Sequence, residues 1–374
     1  MRRDPAPLRF YAHQHISEDD IAAVVGVLRS DWLTQGPKVQ EFEEALAAYV
    51  VAKFAVAVSS GTAALELAYR ATTARAVVTS PLTFMATANA AVVAGAGVGF
   101  VDVDQATGNI DPHPGLTPPI GSVFVPVHFA GRAAPISQLT GFGGAVPVIE
   151  DACHALGGLD FDGCSRIGSC AHSLATVFSF HPVKSITTGE GGAVTTNDES
   201  LARELRSLRD HGREGGLMVR LGTNARMTDI QAALGLSQLK RCDEMLERRA
   251  ELVSVYGARM EAGGFGADSP VLVPPLYLPE QFDANAFHLY PVRIKNGKRD
   301  EVKAKLNAQG IGGQKHYDPI VPLHPYYRER FGYKVGDFPN AEAWSAETLS
   351  LPLHAGMSEA DVETVVAALM EALA

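Results

Sequence analysis

The chain has 374 residues, with 32 Lys+Arg against 42 Asp+Glu and a formal net charge of −10 at pH 7. Hydrophobic residues make up 46% and charged residues 20%, which excludes a disordered chain and supplies ample material for a buried core. The acidic balance counts against non-specific nucleic-acid or anionic-membrane binding, which needs a basic footprint, and the length suggests about two domains.

Ser17 is expected to cap a first helix through Ile21, Val24, Val25 and Leu28, with acids at 18–20 favouring its N-terminus. Phe42, Leu46 and Val50 mark a second helix. Short apolar runs at 54–58, 76–79, 98–101, 122–127, 146–149, 175–179 and 193–196 read as seven strands. Helical patterns at 63–69 and 86–93 lie between them. This alternation predicts an α/β fold with a mostly parallel sheet covered on both faces. A long helical pattern follows at 227–260, through Ile230, Leu234, Leu236, Leu239, Met245, Leu246 and Leu252. Gly263-Gly264 and the Pro-rich stretch 270–279 read as a linker. A strand at 286–294, a helix near 303–309 and a terminal helix from Ser358 make a smaller α/β unit. The expected domains are therefore 1–250 and 251–374.

Cys153, Cys164, Cys170 and Cys242 show no CxxC spacing, so neither a zinc knuckle nor another metal site is expected. So few cysteines in so long a chain fit a reduced, cytoplasmic protein. No secretory h-region follows the first residues, and no apolar run approaches the ~18 residues of a membrane span.

Ligands of such sheets gather at the carboxyl ends of the strands. Ser59-Ser60-Gly61-Thr62 follows one strand and opens a helix, whose free N–H groups suit a phosphate; alone, the same pattern is also a plain N-cap. Glu150-Asp151 ends another strand, where an acid faces a site or caps a helix. Lys184 follows a third, in FSFHPVK. A desolvated lysine amine is a nucleophile able to form a Schiff base, whereas most lone lysines are solvated. Each feature is ordinary by itself. Together they supply the three attachments of pyridoxal 5′-phosphate (PLP), an electron sink: phosphate, ring nitrogen and aldehyde. An ionised Asp151 would hold the ring nitrogen protonated. A nicotinamide oxidoreductase is the main rival on an α/β fold. Gly141, Gly143 and Gly144 precede a strand rather than follow one, so the dinucleotide fingerprint fails in context.

The ordered segments SSGTAA, SPLTFMATANA, VIEDACHALGG, VFSFHPVKSITTGEGG and NARMTDIQAALGLSQL carry a resemblance. With LTQGPKVQEFE near residue 33 and HYDPI near 316, the chain resembles the DegT/DnrJ/EryC1/StrS sugar-nucleotide aminotransferases, fold-type-I PLP enzymes. HPVKSITTGEGG, PVHFAG and LTQGPKV resemble most the PseC-type subgroup. Those enzymes aminate C4 of a UDP-linked 2-acetamido-2,6-dideoxy-4-keto-hexose on the way to pseudaminic acid.

The resemblance implies a role for each matching position. Lys184 is the Schiff-base lysine, and Asp151 pairs with the pyridine nitrogen. His154 takes a place often held by Gln and contacts the ring hydroxyl. Gly61, Thr62 and Ser179 hold the phosphate. Phe84 stacks on the ring, although pattern alone would assign it to the core. Asn224 reaches the phosphate of the neighbouring subunit, which implies a homodimer with shared sites. His316, Tyr317 and Thr34 belong to segments near the nucleotide-sugar. Arg226 and His181 are candidates for the diphosphate or the donor carboxylate. The implied donor is L-glutamate, with pyridoxamine 5′-phosphate (PMP) formed in the half-reaction. Cys153 departs from the usual Ala, and Thr223 and Ala225 flank Asn224 where tyrosines are common. The alternatives are a dTDP- or GDP-linked or C3-keto sugar as acceptor, or a non-catalytic paralogue. Dehydratase relatives replace the lysine, and Lys184 is present.

Overall fold

A computed structural model describes residues 10–111, 120–139, 146–161, 163–266, 269–273 and 284–374. Residues 274–279 of the expected linker, and Gly141, Gly143 and Gly144, lie outside the described residues.

The chain enters through α1 (Glu18–Leu28), closed by a capping box between Ser17 and Asp20, and α2 (Pro37–Val50), which buries Phe42, Leu46 and Val50. Strands β1 (Phe54–Val58), β2 (Ala76–Thr79), β3 (Gly97–Phe100) and β4 (Ser122–Val125) alternate with α3 (Gly61–Ala71) and α4 (Ala86–Val93). Then come α5 (Ile136–Leu139), β5 (Ile149–Asp151), β6 (Ala175–Ser179), β7 (Gly192–Thr196) and α6 (Glu199–Arg209). Two ladders, β3-β2-β4 and β5-β6-β7-β1, are joined by the parallel bridges Phe124–Val148 and Val127–Asp151. The result is the expected seven-stranded, mostly parallel sheet, in the order 3-2-4-5-6-7-1. Only β7 runs antiparallel to its neighbours. The link from β6 to β7 holds no helix, so it cannot make the crossover that a parallel strand needs.

Alternation along the strands splits the core. Val56 and Val58 of β1 face α3, α4 and α6 on one side, while Ala55 and Ala57 face α2 on the other. The expected strand at 146–149 begins later, at Ile149, and carries Asp151 within it. The expected long helix is two helices, α7 (Asp229–Leu239) and α8 (Cys242–Ala262), after a short exposed hairpin of β8 (Arg213–Glu214) and β9 (Leu217–Met218). At the break, Gln238 and Arg241 both donate to the fully buried Asp20 carboxylate, each at 2.7 Å. That contact is remote in sequence, so local periodicity does not show it.

The last third forms an antiparallel sheet of β10 (Val271–Leu272), β11 (Tyr290–Ile294) and β12 (Thr348–Leu351). The second half of α8, α9 (Arg299–Ala308) and α12 (Glu359–Leu373) share its core, through Leu252, Tyr256, Val292, Leu306, Leu349 and Leu369. Residues 286–289, expected as strand, instead bond to the 129–131 turn: Ala286 N–H donates to Gly131 O and His288 N–H to Ala130 O. Of α10 (Pro325–Phe331) and α11 (Pro339–Glu347), the first sends Tyr327 back to the main core. From α11, Trp344 packs beside Phe129. We propose 1–250 and 251–374 as the two units, with α8 shared between them.

Two features of this frame give measurable consequences. Glycine is the N-cap of α2 and brings no side chain. Asp229, 1% exposed in the first turn of α7, supplies the cap from afar. Its carboxylate accepts from the N–H groups of Gly36 (2.9 Å), Lys38 (3.3 Å) and Val39 (3.3 Å). Asp229→Ala is expected to cost about 2–3 kcal/mol in urea unfolding, and Asp229→Asn less, because one acceptor oxygen survives. The second feature is the seam between the two cores. Burial, with Lys184 nearby, lowers the His316 pKa to about 3; burial, with Arg249 nearby, lowers that of His354 to about 4. Below the ordinary histidine value near 6.5 the unfolded chain takes up protons that the folded chain refuses. Stability should therefore be level above pH 7 and fall as pH drops from about 6.5 toward 4. Replacing His354 with Asn should flatten that slope in unfolding curves taken across the range.

Candidate active site

A cavity of about 530 Å³ opens at the carboxyl ends of β1, β5 and β6. Its walls include Ser60, Gly61, Thr62, Asp151, Ser179 and Lys184, so the three features read from sequence meet in one place. A second cavity of similar volume lies against α2, β1 and α6, but its Glu43, Arg206 and Arg209 are bonded to one another.

Ser60 is the N-cap of α3, with its hydroxyl accepting from Ala63 N–H at 3.1 Å. The N–H groups of the first helical turn have no partner within the helix, and there the dipole favours an anion. Backbone and side chains crowd this corner. A Cβ on Gly61 would sit 2.8 Å from Ser179 Cβ, and one on Gly192 would sit 2.5 Å from the Ser60 carbonyl. Only glycine allows β6, β7 and the start of α3 to close so tightly.

Asp151 ends β5 and is 5% exposed. Oδ2 accepts from the Thr87 hydroxyl at 2.7 Å, and Oδ1 accepts from Cys153 N–H at 3.2 Å. The residues after it form a turn, not the helix that would make Asp151 an ordinary cap. Lys184 is half-buried. Burial pushes its amine pKa below the usual lysine value, and Cys153 and Asp151 only partly oppose this. The Cys153 thiol is driven the other way, up, by burial and by Asp151.

Three imidazoles gather beside the amine. His154 lies on that turn, with Nε2 3.1 Å from the Tyr317 hydroxyl and a buried Nδ1 that has no partner. Its ring packs against His288, centroids 4.3 Å apart. His316 Nδ1 is 2.8 Å from Ser350 Oγ. Burial first, and neighbouring positive groups second, hold His154 and His288 well below the ordinary histidine value. All three are neutral at pH 7.

Phe84 lines the cavity but is 54% exposed, so the core assignment that pattern alone suggests is overturned. It sits in the loop before α4, where a ring can be offered to a ligand. His181 and Tyr317 also line the cavity. Three candidates stand elsewhere. Thr34 and Asn224 are exposed and outside the cavity wall of their own chain, and Arg226 is paired with Asp210. His211 follows α6 as an exposed residue, in keeping with a helix-end position. Sequence reading missed Tyr11, Thr83, Thr87, His288 and Lys315, all of them lining residues. Thr83 and Thr87 carried a faint signal, two hydroxyls four apart at the start of an Ala-rich helix. The others come from distant segments and carried none.

These residues fit PLP. A half-buried amine, a buried carboxylate with free lone pairs, a helix N-terminus and an orphaned imidazole nitrogen are four complements to its aldehyde, ring nitrogen, phosphate and hydroxyl.

Comparison with known proteins agrees over nearly the full length. Spore coat polysaccharide biosynthesis protein SpsC of Bacillus subtilis is 39% identical over 389 residues, covering 96% of each chain. A UDP-4-amino-4,6-dideoxy-N-acetyl-β-L-altrosamine transaminase of Campylobacter jejuni is 36% identical over 373 residues, covering 95% of each. Among solved structures, Helicobacter pylori PseC, an aminotransferase involved in pseudaminic acid biosynthesis, superposes with a TM-score of 0.88 at 29% identity. It covers 97% of this chain and 98% of its own. The model of one family matches residues 14–370, and on that match the chain belongs to the DegT/DnrJ/EryC1/StrS aminotransferase family.

Proposed function

We propose that this PLP-dependent sugar aminotransferase moves an amino group from L-glutamate to the C4 keto group of a UDP-linked 2-acetamido-2,6-dideoxy-4-keto-hexose, in nucleotide-sugar biosynthesis of the pseudaminic-acid type. The convergence of desolvated Lys184 and buried Asp151 on one cavity beside the α3 N-terminus carries the reading of the chemistry. The Campylobacter jejuni relative and the Helicobacter pylori structure support the sugar.

The chain's own groups divide the work. Bound PLP supplies an electron sink for the bond broken at the substrate carbon. Asp151 keeps a proton at the ring nitrogen through a charge-assisted bond. Lys184, whose amine burial makes easier to deprotonate, is the nucleophile, and then moves a proton at the carbon bearing nitrogen. Gly61, Thr62 and Ser179 fix the phosphate, and Phe84 covers one ring face. His154 donates to the ring hydroxyl; its neutrality spares the site a second cation beside Lys184. His181, His316 and Tyr317 line the cavity, which supports a role for them against the nucleotide-sugar.

We also propose a homodimer. Asn224 is exposed, and Leu217, Met218, Val219 and Leu221 beside it are each more than half exposed. An apolar cluster of this kind suits a second copy of the chain. Asn224, and with it Thr34 and Arg226, would then serve the partner's cavity. Among the described residues no helix is long and apolar enough to cross a membrane. The thiols of Cys153, Cys170 and Cys242 are not joined in disulfides, which supports a reducing compartment.

The purified protein with PLP should show a visible absorbance band that shifts when glutamate is added. Lys184→Arg should lose that shift and at least ~10²-fold in turnover; a fully active Lys184→Arg enzyme would sink the assignment. Oxoglutarate release beyond one equivalent per site should need the UDP-linked 4-keto sugar, and a clear preference for a dTDP-linked one would overturn the acceptor. Mixing inactive Lys184→Ala and Asn224→Ala proteins should restore about a quarter of the parent rate, because half the dimers are mixed and each has one complete site. No recovery after subunit exchange would refute site sharing.

A further inference from the structure

We infer that Thr83 and Thr87 form a hydroxyl relay that positions and tunes Asp151, the residue assigned to the cofactor's ring nitrogen. The inference rests on the PLP reading above. Thr87 is 1% exposed and Thr83 2% exposed. Their Oγ atoms are 2.8 Å apart, and Thr87 Oγ is 2.7 Å from Asp151 Oδ2. An ionised carboxylate only accepts, so the direction of both bonds follows. The Thr87 hydroxyl donates to Asp151. Its single proton is then spent, so Thr87 must accept, and Thr83 donates to it. The chain of protons runs from Thr83, on the cavity wall, to the carboxylate.

A purely structural reason for Thr87 is hard to find. It occupies the first turn of α4, whose sequence ATANAAVV is otherwise rich in alanine, the best helix former. The N-cap of α4 is Met85, with no side-chain cap, so Thr87 does not close the helix end. Ala88, Ala90 and Ala91 fill the core on this helix without any hydroxyl. A buried hydroxyl needs a partner; the Phe84 carbonyl lies 3.2 Å from Thr87 Oγ, but the shorter and charge-assisted contact, at 2.7 Å, is to the Asp151 carboxylate.

The consequence is a carboxylate held at both oxygens. Cys153 N–H fixes Oδ1 and Thr87 fixes Oδ2, leaving the remaining lone pairs for a ring N–H. Donation by Thr87 also stabilises the negative charge of Asp151 beside a protonated ring nitrogen. The other ionisable groups around Asp151 are Tyr69 from α3, Cys153, Lys184 and Tyr317. None of them is altered in the variants below.

The test uses the full chain as Thr87→Val, Thr87→Ser and Thr83→Val, with the thermal unfolding of each apoprotein recorded. PLP affinity is measured by titration, and the pH midpoint of the bound cofactor's visible absorbance is followed. Thr87→Val should weaken PLP about tenfold and move the midpoint up by about half a unit or more, since a ring with less positive charge holds its neighbouring proton more tightly. Thr87→Ser should restore both, and Thr83→Val should give a smaller change of the same sign. If Thr87→Val proves unfolded, the Thr83→Val shift decides alone. Parent-like affinity and midpoint in the folded variants overturn the relay while leaving the aminotransferase reading intact. A parent chain that shows no visible band with PLP overturns both.

Discussion

A buried carboxylate with room for one more partner is the constraint on which the rest of this molecule depends. Glu150 and Asp151 are neighbours on one strand, so their side chains leave opposite faces of the sheet. Glu150 is fully engaged: His128 Nε2 lies 2.8 Å from Oε2, while Ser173 and Thr176 donate to Oε1. Burial disfavours its charge, yet these bonds hold its pKa below the usual value. Asp151 has two donors and faces a cavity. One carboxylate is satisfied within the fold, and the other keeps lone pairs toward the cavity. Their difference is set by which face of β5 each occupies.

The middle position of β5 follows from the strand order 3-2-4-5-6-7-1. Neighbours on both sides bring other functional groups to the same rim: β6 delivers Ser179 and then Lys184, and β1 delivers the start of α3. The antiparallel β7 presses Gly192 against Ser60, which holds that helix terminus in place. The sheet thus acts as a ruler for groups that are up to about 120 residues apart in the chain.

The second layer of control is electrostatic. The role proposed for Lys184 needs an amine that is not locked as a solvated cation, and burial lowers its pKa. The surrounding imidazoles are kept neutral by the same burial and by the amine itself. Arg249 adds a buried cation behind them, bonded to the carbonyls of Phe287, His288 and Leu353 and not to a carboxylate. It ties the segment bearing His288 to α8, and so couples the C-terminal core to the cavity floor. Backbone carbonyls meet Arg249 and single hydroxyls meet His154 and His316, while His154 Nδ1 and His288 Nδ1 are left without a partner.

Sequence alone determined the chemistry-bearing motifs and the fold class. Strand periodicity, the Ser17, Ser60 and Ser358 caps, and the order of loop motifs are local signals, written in a few adjacent residues. Gly61, Asp151 and Lys184 were legible because each stands at or just past the end of a strand that can be read from its own composition, and Ser179 from the resemblance to the family. Only the tertiary structure decided what lies between them. The break between α7 and α8 is held by Asp20, more than two hundred residues earlier, and the cap of α2 comes from Asp229. Phe84 is exposed because its loop borders the cavity, which its apolar character conceals. Tyr11 and His288 join the site, and Thr87 reaches Asp151, through contacts between distant segments. Such contacts cost chain entropy to form and leave no period in the sequence, so they appear only when the chain is folded.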